Sequence, residues 1–91
     1  MVKIRQRSLR VFYETGNPRG LPQELVPRIR RILAVLDVAN HPAAMNVPGF
    51  RLHPLSGDRA DYWSVRVSGN RRIVFRFENS EAVDVELIDY H

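Results

Sequence analysis

Three segments in the second half of the chain alternate apolar and polar residues, and the turns between them contain only a few residues. The segments cover 62–67, 71–77 and 83–87, with turns at 68–70 and 78–82. Alternation with a period of two is typical of strands that bury one face, and turns this short join antiparallel neighbours. The sequence therefore predicts a meander of three antiparallel strands.

The register of the meander follows from keeping the large apolar side chains on one face. Pairing Val65 with Ile73 and Trp63 with Phe75 meets this condition across the first turn. The same register predicts a row of arginines on the other face: Arg66, Arg72 and Arg76. In the last strand the expected pairs are Val83 with Phe77, Val85 with Phe75, Leu87 with Ile73, and Asp84 with Arg76.

Two segments in the N-terminal half have helical periodicity. The first extends from Ser8, a good N-cap residue, to Gly16, a common helix stop. The second is the main helix, roughly 22–39, and Pro27 is expected either to bend it or to mark its true start. The apolar residues of this helix recur at helical spacing: Leu25, Ile29, Ile32, Leu33 and Leu36.

Two weaker alternating segments, 2–7 and 50–55, predict short strands, and Pro54 would end the second or confine it to a sheet edge. Helices that precede an antiparallel sheet predict a single α+β domain over residues 1–91. In this fold the N-terminal helices pack on one face of a small, mainly antiparallel sheet. The other face would stay open to a partner.

The basic charge of the chain is unevenly distributed. Residues 1–76 contain all 14 basic side chains and five acidic ones, whereas residues 77–91 contain five acids and no base. Thirteen of the 14 cations are arginine, which suits phosphate and stacks on bases. This balance favours a polyanionic partner such as nucleic acid, although ordinary surface charge would look the same. Three of the arginines, Arg28, Arg30 and Arg31, lie outside the apolar stripe of the main helix and are expected to face water.

The absence of cysteine excludes disulfides and thiolate zinc sites, so the core must depend on packing alone. The first residues contain no apolar leader segment, and no apolar run approaches the ~18 residues of a membrane span. We therefore expect a cytoplasmic protein that does not enter a membrane.

The terminal residues Asp89, Tyr90 and His91 combine a carboxylate, a phenol and an imidazole. The predicted register brings them back toward the first turn and Arg72. Together with His53, they supply what metal-free RNA cleavage requires: a base, an acid and a cation for the phosphate. Three other interpretations stay open at this point: a frayed polar terminus, a structural His53, or a metal site built from His53, Asp89 and His91.

Several blocks of sequence resemble the HigB-type toxins of the RelE/ParE superfamily, in the same order and at the same spacing. The blocks are 12–16, 52–55 with 57–59, 62–65, 72–73 with 75–77, and 89–91. The resemblance implies a RelE-like fold and a ribosome-dependent mRNA endonuclease without a cofactor. Such toxins cut the codon in the ribosomal A site by 2′-hydroxyl attack.

The resemblance also implies partners and roles for individual residues. The partners would be the 70S ribosome, mRNA and a HigA-type helix-turn-helix antitoxin, with operator DNA bound only through the antitoxin. His53 and His91 would transfer protons, and Asp89 would orient them or help as a base. Tyr90 would contact the nucleotide, and Arg72 would stabilise the phosphate. Further arginines are predicted to bind RNA: Arg59, Arg66, Arg71 and Arg76.

Two positions depart from the family pattern. Ser56 replaces a frequent lysine, and Arg71 replaces a frequent tryptophan. Arg59 or Arg71 could supply the missing cation, and an arginine can still stack on a base. Two other function classes remain as alternatives: a non-catalytic, ParE-like poison of DNA gyrase, and a simple RNA- or DNA-binding module.

Overall fold

The computed structural model describes residues 2–89, which form two α-helices followed by a four-stranded sheet. The helices are α1 (Arg7–Thr15) and α2 (Val26–Val38). The strands are β1 (His53–Pro54), β2 (Trp63–Arg66), β3 (Arg71–Glu78) and β4 (Glu81–Asp89). All neighbouring strands are antiparallel, in the order β1-β2-β3-β4. The predicted α+β architecture is confirmed.

The first hairpin has the predicted register. Val65 lies opposite Ile73, and Trp63 lies opposite Phe75. These apolar side chains belong to the core between the sheet and the two helices, in which Leu9, Ile29, Ile32, Leu36, Phe50 and Phe75 are almost completely buried. Because side chains alternate across a strand, the residues between them face away from the helices.

The second hairpin departs from the predicted register near its turn. Leu87 pairs with Ile73 as expected, but Val83 pairs with Arg76 rather than with Phe77. A β-bulge in β4 causes the shift: between the pairs Val74–Glu86 and Arg76–Val83, two β4 residues lie opposite Phe75 alone. Asp84, one of the two residues of the bulge, adopts a left-handed φ of 53°. A bulge adds one unpaired residue to a strand, and alternation alone does not reveal its position.

The start of α1 is set by a contact with the last strand and not by Ser8, so the predicted N-cap is wrong. Gln6 occupies the cap position, and its side chain exchanges two hydrogen bonds with the backbone of Leu87, at 2.6 and 2.7 Å. The end of α1 is as predicted. Gly16 has a φ of 80° and donates its N–H to the carbonyl of Phe12 at 2.8 Å.

The predicted N-terminal strand is reduced to one parallel bridge between Ile4 and Val85. Two amides, those of Lys3 and Arg5, donate to β4 carbonyls at 3.0 and 2.9 Å. The sheet is therefore mainly, but not entirely, antiparallel. On the other side of the core, Pro27 lies in the first turn of α2, and a short 3₁₀ turn (Gln23–Leu25) precedes it. Pro27 thus marks the true start of the main helix.

Arg28 is a structural residue, which corrects the expectation that it faces water. Its guanidinium donates to the carbonyl of Arg66 at 2.9 and 3.1 Å and also to the carbonyl of Gly49. It lies 5.4 Å from the ring centroid of Phe50. The other two helix arginines are exposed, but their guanidinium groups cover aromatic rings of the core. Arg28 therefore ties α2 to β2 and to the loop before β1.

We expect replacement of Arg28 by alanine to lower the free energy of unfolding by about 1–3 kcal/mol, because two carbonyls lose a charged donor. Urea denaturation would measure the change. Arg10→Ala removes an exposed arginine of α1 and should change stability by less than about 0.5 kcal/mol. Equal midpoints for the two variants would contradict the structural role of Arg28.

Candidate active site

Two adjoining pockets lie on the sheet face that points away from the helices. Their volumes are about 280 and 320 Å³. They share four lining residues: His53, Leu55, Ser64 and Arg72. We call them the Arg59 pocket and the Arg51 pocket, after the arginine that lines only one of them. The remaining residues of the Arg59 pocket are Pro54, Ser56, Val74 and Ile88, and the Arg51 pocket adds Leu52.

The floor of these pockets is buried. Ser64 is 1% exposed, and Val74 is completely buried. Within residues 2–89 the hydroxyl of Ser64 has no hydrogen-bond partner, which is uncommon for a buried polar group. The face therefore contains two pockets with a buried floor and exposed residues at their edges, among them His53 and Arg59.

His53 reaches the pockets from the edge of the sheet. β1 pairs with β2 through His53 opposite Ser64 and Pro54 opposite Trp63. Pro54 has no N–H to offer to a further strand, so it is tolerated at an edge, as predicted. The amide of Leu55 then donates to the carbonyl of Tyr62 at 2.9 Å and fixes the end of β1. The imidazole of His53 is exposed and accessible to a ligand.

Arg72 lies on the same face as Ser64 and Val74 and lines both pockets. In the sheet it is opposite Arg66 on one side and Ile88 on the other. Arg72 belongs to the interior strand β3, which pairs with β2 on one side and with β4 on the other. Its backbone position is therefore well defined. His53 and Arg72 were predicted from sequence to belong to one site, and the sheet brings them to the same two pockets.

A chain of contacts holds Arg59 at the rim of the Arg59 pocket. The guanidinium of Arg59 lies 5.5 Å from the ring centroid of Tyr62. The hydroxyl of Tyr62 donates to Asp84 at 3.1 Å, and Arg76 donates to the same carboxylate at 2.7 Å. Asp84 also faces Arg5, at 3.5 Å. The hydrogen bond from Arg76, followed by that from Tyr62, holds the pKa of Asp84 below its usual value.

The depressed pKa of Asp84 predicts an acid-sensitive contribution to stability. The stabilisation is fully present above the unfolded pKa of about 4 and is lost as the pH falls through the lower, folded value. We expect Asp84→Asn to remove this part of the acid dependence, as measured by melting temperature between pH 7 and pH 2. Asp61→Asn, which replaces an exposed carboxylate, serves as the control. Parallel pH profiles for wild type and Asp84→Asn would refute the prediction.

The other residues proposed from sequence lie outside the two pockets. Arg66 shares the face of Arg72 but lines neither pocket. Arg76 is held by Asp84 and by Glu78, the latter at 2.9 Å. The predicted contact between Arg76 and Asp84 thus forms despite the bulge, and both side chains are about one-third exposed.

Asp89 and Arg71 are opposite each other in the register of β3 and β4, at the end of the sheet next to the first turn. Asp89 accepts a hydrogen bond from the side chain of Asn70 at 3.0 Å, so the chain does return to the first turn as predicted. By alternation, both residues share the face of Ile73 and Leu87, opposite that of Arg72. Tyr90 and His91 lie outside the described residues.

Among the polar and charged pocket residues, Arg51 and Ser64 had not been singled out from the sequence. Ser64 could have been found, because the predicted strand register already sets its side chain on the face of Arg72. Arg51 carries no sequence signal beyond its charge, since its orientation depends on a left-handed backbone with a φ of 53°.

Within residues 2–89, no group of three histidine, aspartate or glutamate side chains is arranged to hold a metal ion. The alternative metal site of His53, Asp89 and His91 is not tested, because His91 lies outside this range. None of the helices in residues 2–89 combines the length and apolar character of a membrane span.

Comparison with known proteins identifies the family. The family model of the RelE-like toxin of the type II toxin-antitoxin system HigB matches residues 2–91. The chain belongs to this family. A curated relative, Endoribonuclease HigB of Proteus vulgaris, is 38% identical over 92 residues, which is 100% of both chains. The resemblance drawn from the sequence blocks is confirmed.

Solved structures of two toxins establish the fold of this HigB-like toxin independently. The YoeB-YefM complex from Staphylococcus aureus matches with a TM-score of 0.66 at 16% identity, covering 100% of this chain and 95% of that chain. The YoeB/ParE toxin from Agrobacterium tumefaciens matches with a TM-score of 0.54 at 23% identity, covering 99% and 97%. The RelE-like fold is therefore confirmed.

Proposed function

We propose that this HigB-like toxin is an endoribonuclease that cuts mRNA in the ribosomal A site without a cofactor. The observation that carries the proposal is the placement of His53 and Arg72 in the same two pockets, with Arg59 at the rim. No aspartate or glutamate among residues 2–89 lines either pocket. The site thus combines a group that can transfer a proton with cations that attract a phosphate.

The proposed reaction is an internal transesterification of RNA. A base removes the proton of a 2′-hydroxyl, and the 2′-oxygen attacks the adjacent phosphorus. The bond from phosphorus to the 5′-oxygen breaks, and an acid protonates that oxygen. The products are a 2′,3′-cyclic phosphate and a 5′-hydroxyl, so no water or metal needs to enter the balance. Arg72 would stabilise the charge that develops on the phosphate oxygens.

Within this scheme His53 serves as one of the two proton-transfer groups and His91 as the other. Tyr90 would contact the nucleotide. Asp89 is better suited to orient the terminal residues than to act as a base, because it is hydrogen-bonded to Asn70 and shares the sheet face opposite Arg72. Arg59 is the better replacement for the cation absent at Ser56, since it lines the pocket that contains Ser56 and Arg71 does not.

The partners follow from the family and the proposed chemistry. We propose that a HigA-type helix-turn-helix antitoxin inhibits the toxin in the cytoplasm, and that operator DNA is bound only through this antitoxin. Co-expression of the helix-turn-helix protein encoded next to the toxin gene should restore growth. Continued growth arrest with the two proteins present in equal amounts would contradict this assignment.

The test of the activity uses purified toxin, active ribosomes and a defined mRNA. Primer extension should reveal new 5′ ends inside A-site codons, and the double variant with His53→Ala and His91→Ala should produce none. Intact mRNA in the presence of wild-type toxin and active ribosomes would contradict the proposal. Full toxicity of the double variant in cells would instead favour a non-catalytic poison of DNA gyrase.

A further inference from the structure

Arg51 has an unusual backbone for its position in the fold. Its φ of 53° lies in the left-handed region, which residues with a Cβ seldom adopt. Three other non-glycine residues among 2–89 share this conformation: Asn79 and Ser80 in the β3–β4 turn, and Asp84 in the bulge of β4. Arg51 belongs to neither a hairpin turn nor a bulge. Strain of this kind persists only where the surroundings enforce it, and it concentrates at functional sites.

The neighbours of Arg51 enforce its conformation. Phe50 is completely buried, its amide donates to Val47 at 2.9 Å, and its carbonyl accepts from the amide of Arg66 at 2.7 Å. Two residues later, His53 is paired with β2. The chain must therefore turn sharply between a fixed core residue and a fixed edge strand, and this turn directs the exposed Arg51 to the pocket wall.

Arg51 lines the same pocket as His53 and Arg72, the groups proposed to react with RNA. The shared wall contains His53 and Arg72, while Arg51 lines only one pocket and Arg59 only the other. The two arginines thus flank the groups that would act on the scissile phosphate. A single-stranded RNA that crosses this wall would therefore meet one arginine on each side of His53 and Arg72.

We propose that Arg51 is a substrate-binding residue that contacts the RNA backbone next to the scissile phosphate, on the side away from Arg59. The proposal rests on the endoribonuclease function above. Arg51 supplies binding and positioning rather than proton transfer, because an arginine stays protonated throughout the physiological range. Its loss should therefore raise the toxin concentration needed for half-maximal cleavage and leave the maximal rate nearly unchanged.

The test is single-turnover cleavage of mRNA on programmed ribosomes at increasing toxin concentration. Arg51→Gly removes the cation and relaxes the left-handed backbone, so the melting temperature should not fall. We expect the half-saturating concentration to rise roughly tenfold. The slope of its logarithm against log salt should become shallower by about 0.7, as expected for one lost phosphate contact. Arg51→Lys should keep most of the wild-type affinity.

Ser80→Gly is the matched control, because it relaxes the same backbone conformation in the β3–β4 turn without removing a charge. It should leave both kinetic parameters unchanged. If Arg51→Gly melts at a lower temperature than wild type, Arg51→Asn replaces it, since asparagine tolerates this conformation. An unchanged half-saturating concentration in the folded variant overturns the proposal. The proposed function is tested separately. If wild-type toxin cleaves mRNA and His53→Ala does not, the endoribonuclease function stands even when the role of Arg51 is overturned.

Discussion

Replacement of His53 by alanine is expected to lower the maximal rate of mRNA cleavage by about 10²–10⁴-fold, the usual contribution of a positioned general acid or base. The imidazole is exposed at the sheet edge and lines both pockets, so its removal takes away a reacting group and little packing. Single-turnover cleavage on programmed ribosomes measures the effect. The melting temperature should stay close to that of wild type.

His41 provides a matched control for this experiment. It is also an exposed histidine, but it precedes the 3₁₀ turn (Pro42–Met45) and lines neither pocket. His41→Ala should cleave at the wild-type rate. A His53→Ala variant that is folded and cleaves within threefold of wild type would remove His53 from the chemistry. Cleavage would then depend on another proton-transfer group.

Replacement of Arg72 by alanine is expected to lower the maximal rate by about 10²–10³-fold, the cost of removing a donor that stabilises developing charge in a transition state. Arg72→Lys should recover only part of the rate, because an ammonium group cannot make the two parallel hydrogen bonds of a guanidinium. The measurement is the same single-turnover assay, with binding separated from chemistry by the toxin concentration series.

Arg71, next to Arg72 in the sequence, is the matched control for this variant. Arg71 has the same side chain, but it pairs with Asp89 and lines neither pocket. Arg71→Ala should therefore reduce the rate by less than about tenfold, through charge alone. Equal losses in the two variants would mean that general positive charge, and not the position of Arg72, supports cleavage.

Much of the sheet was predictable because two constraints determined it. A shift by one residue would move every apolar side chain to the other face, and the three-residue turn at 68–70 limits larger shifts. Together these constraints predicted the pairing of Val65 with Ile73. The bulge was not predictable in the same way, because Val83, Val85 and Leu87 alternate regularly in the sequence, although Phe77 pairs with Ala82 and not with Val83. The start of α1 depended on a contact between Gln6 and Leu87, which no local pattern reveals.

Some residues of the candidate site were predictable from the sequence, and others were not. His53 could be located because Pro54 confines its strand to an edge, and Arg72 because alternation sets it opposite the core face. The structural role of Arg28 could not be predicted, because its position outside the apolar stripe does not indicate its hydrogen bonds to the carbonyls of Gly49 and Arg66. Arg51 could not be ranked above the other arginines without its backbone conformation.

The contacts between the first residues and β4 also affect how this toxin is made. Gln6 and Leu87, which hydrogen-bond to each other, are 81 positions apart, and Ile4 bridges to Val85. Contacts of such long sequence separation form late, because the intervening chain must first be available to close the loop. While β4 is still inside the translating ribosome, the sheet cannot close around Arg72. The Arg59 pocket is therefore complete only after β4 has been synthesised and has paired with β3.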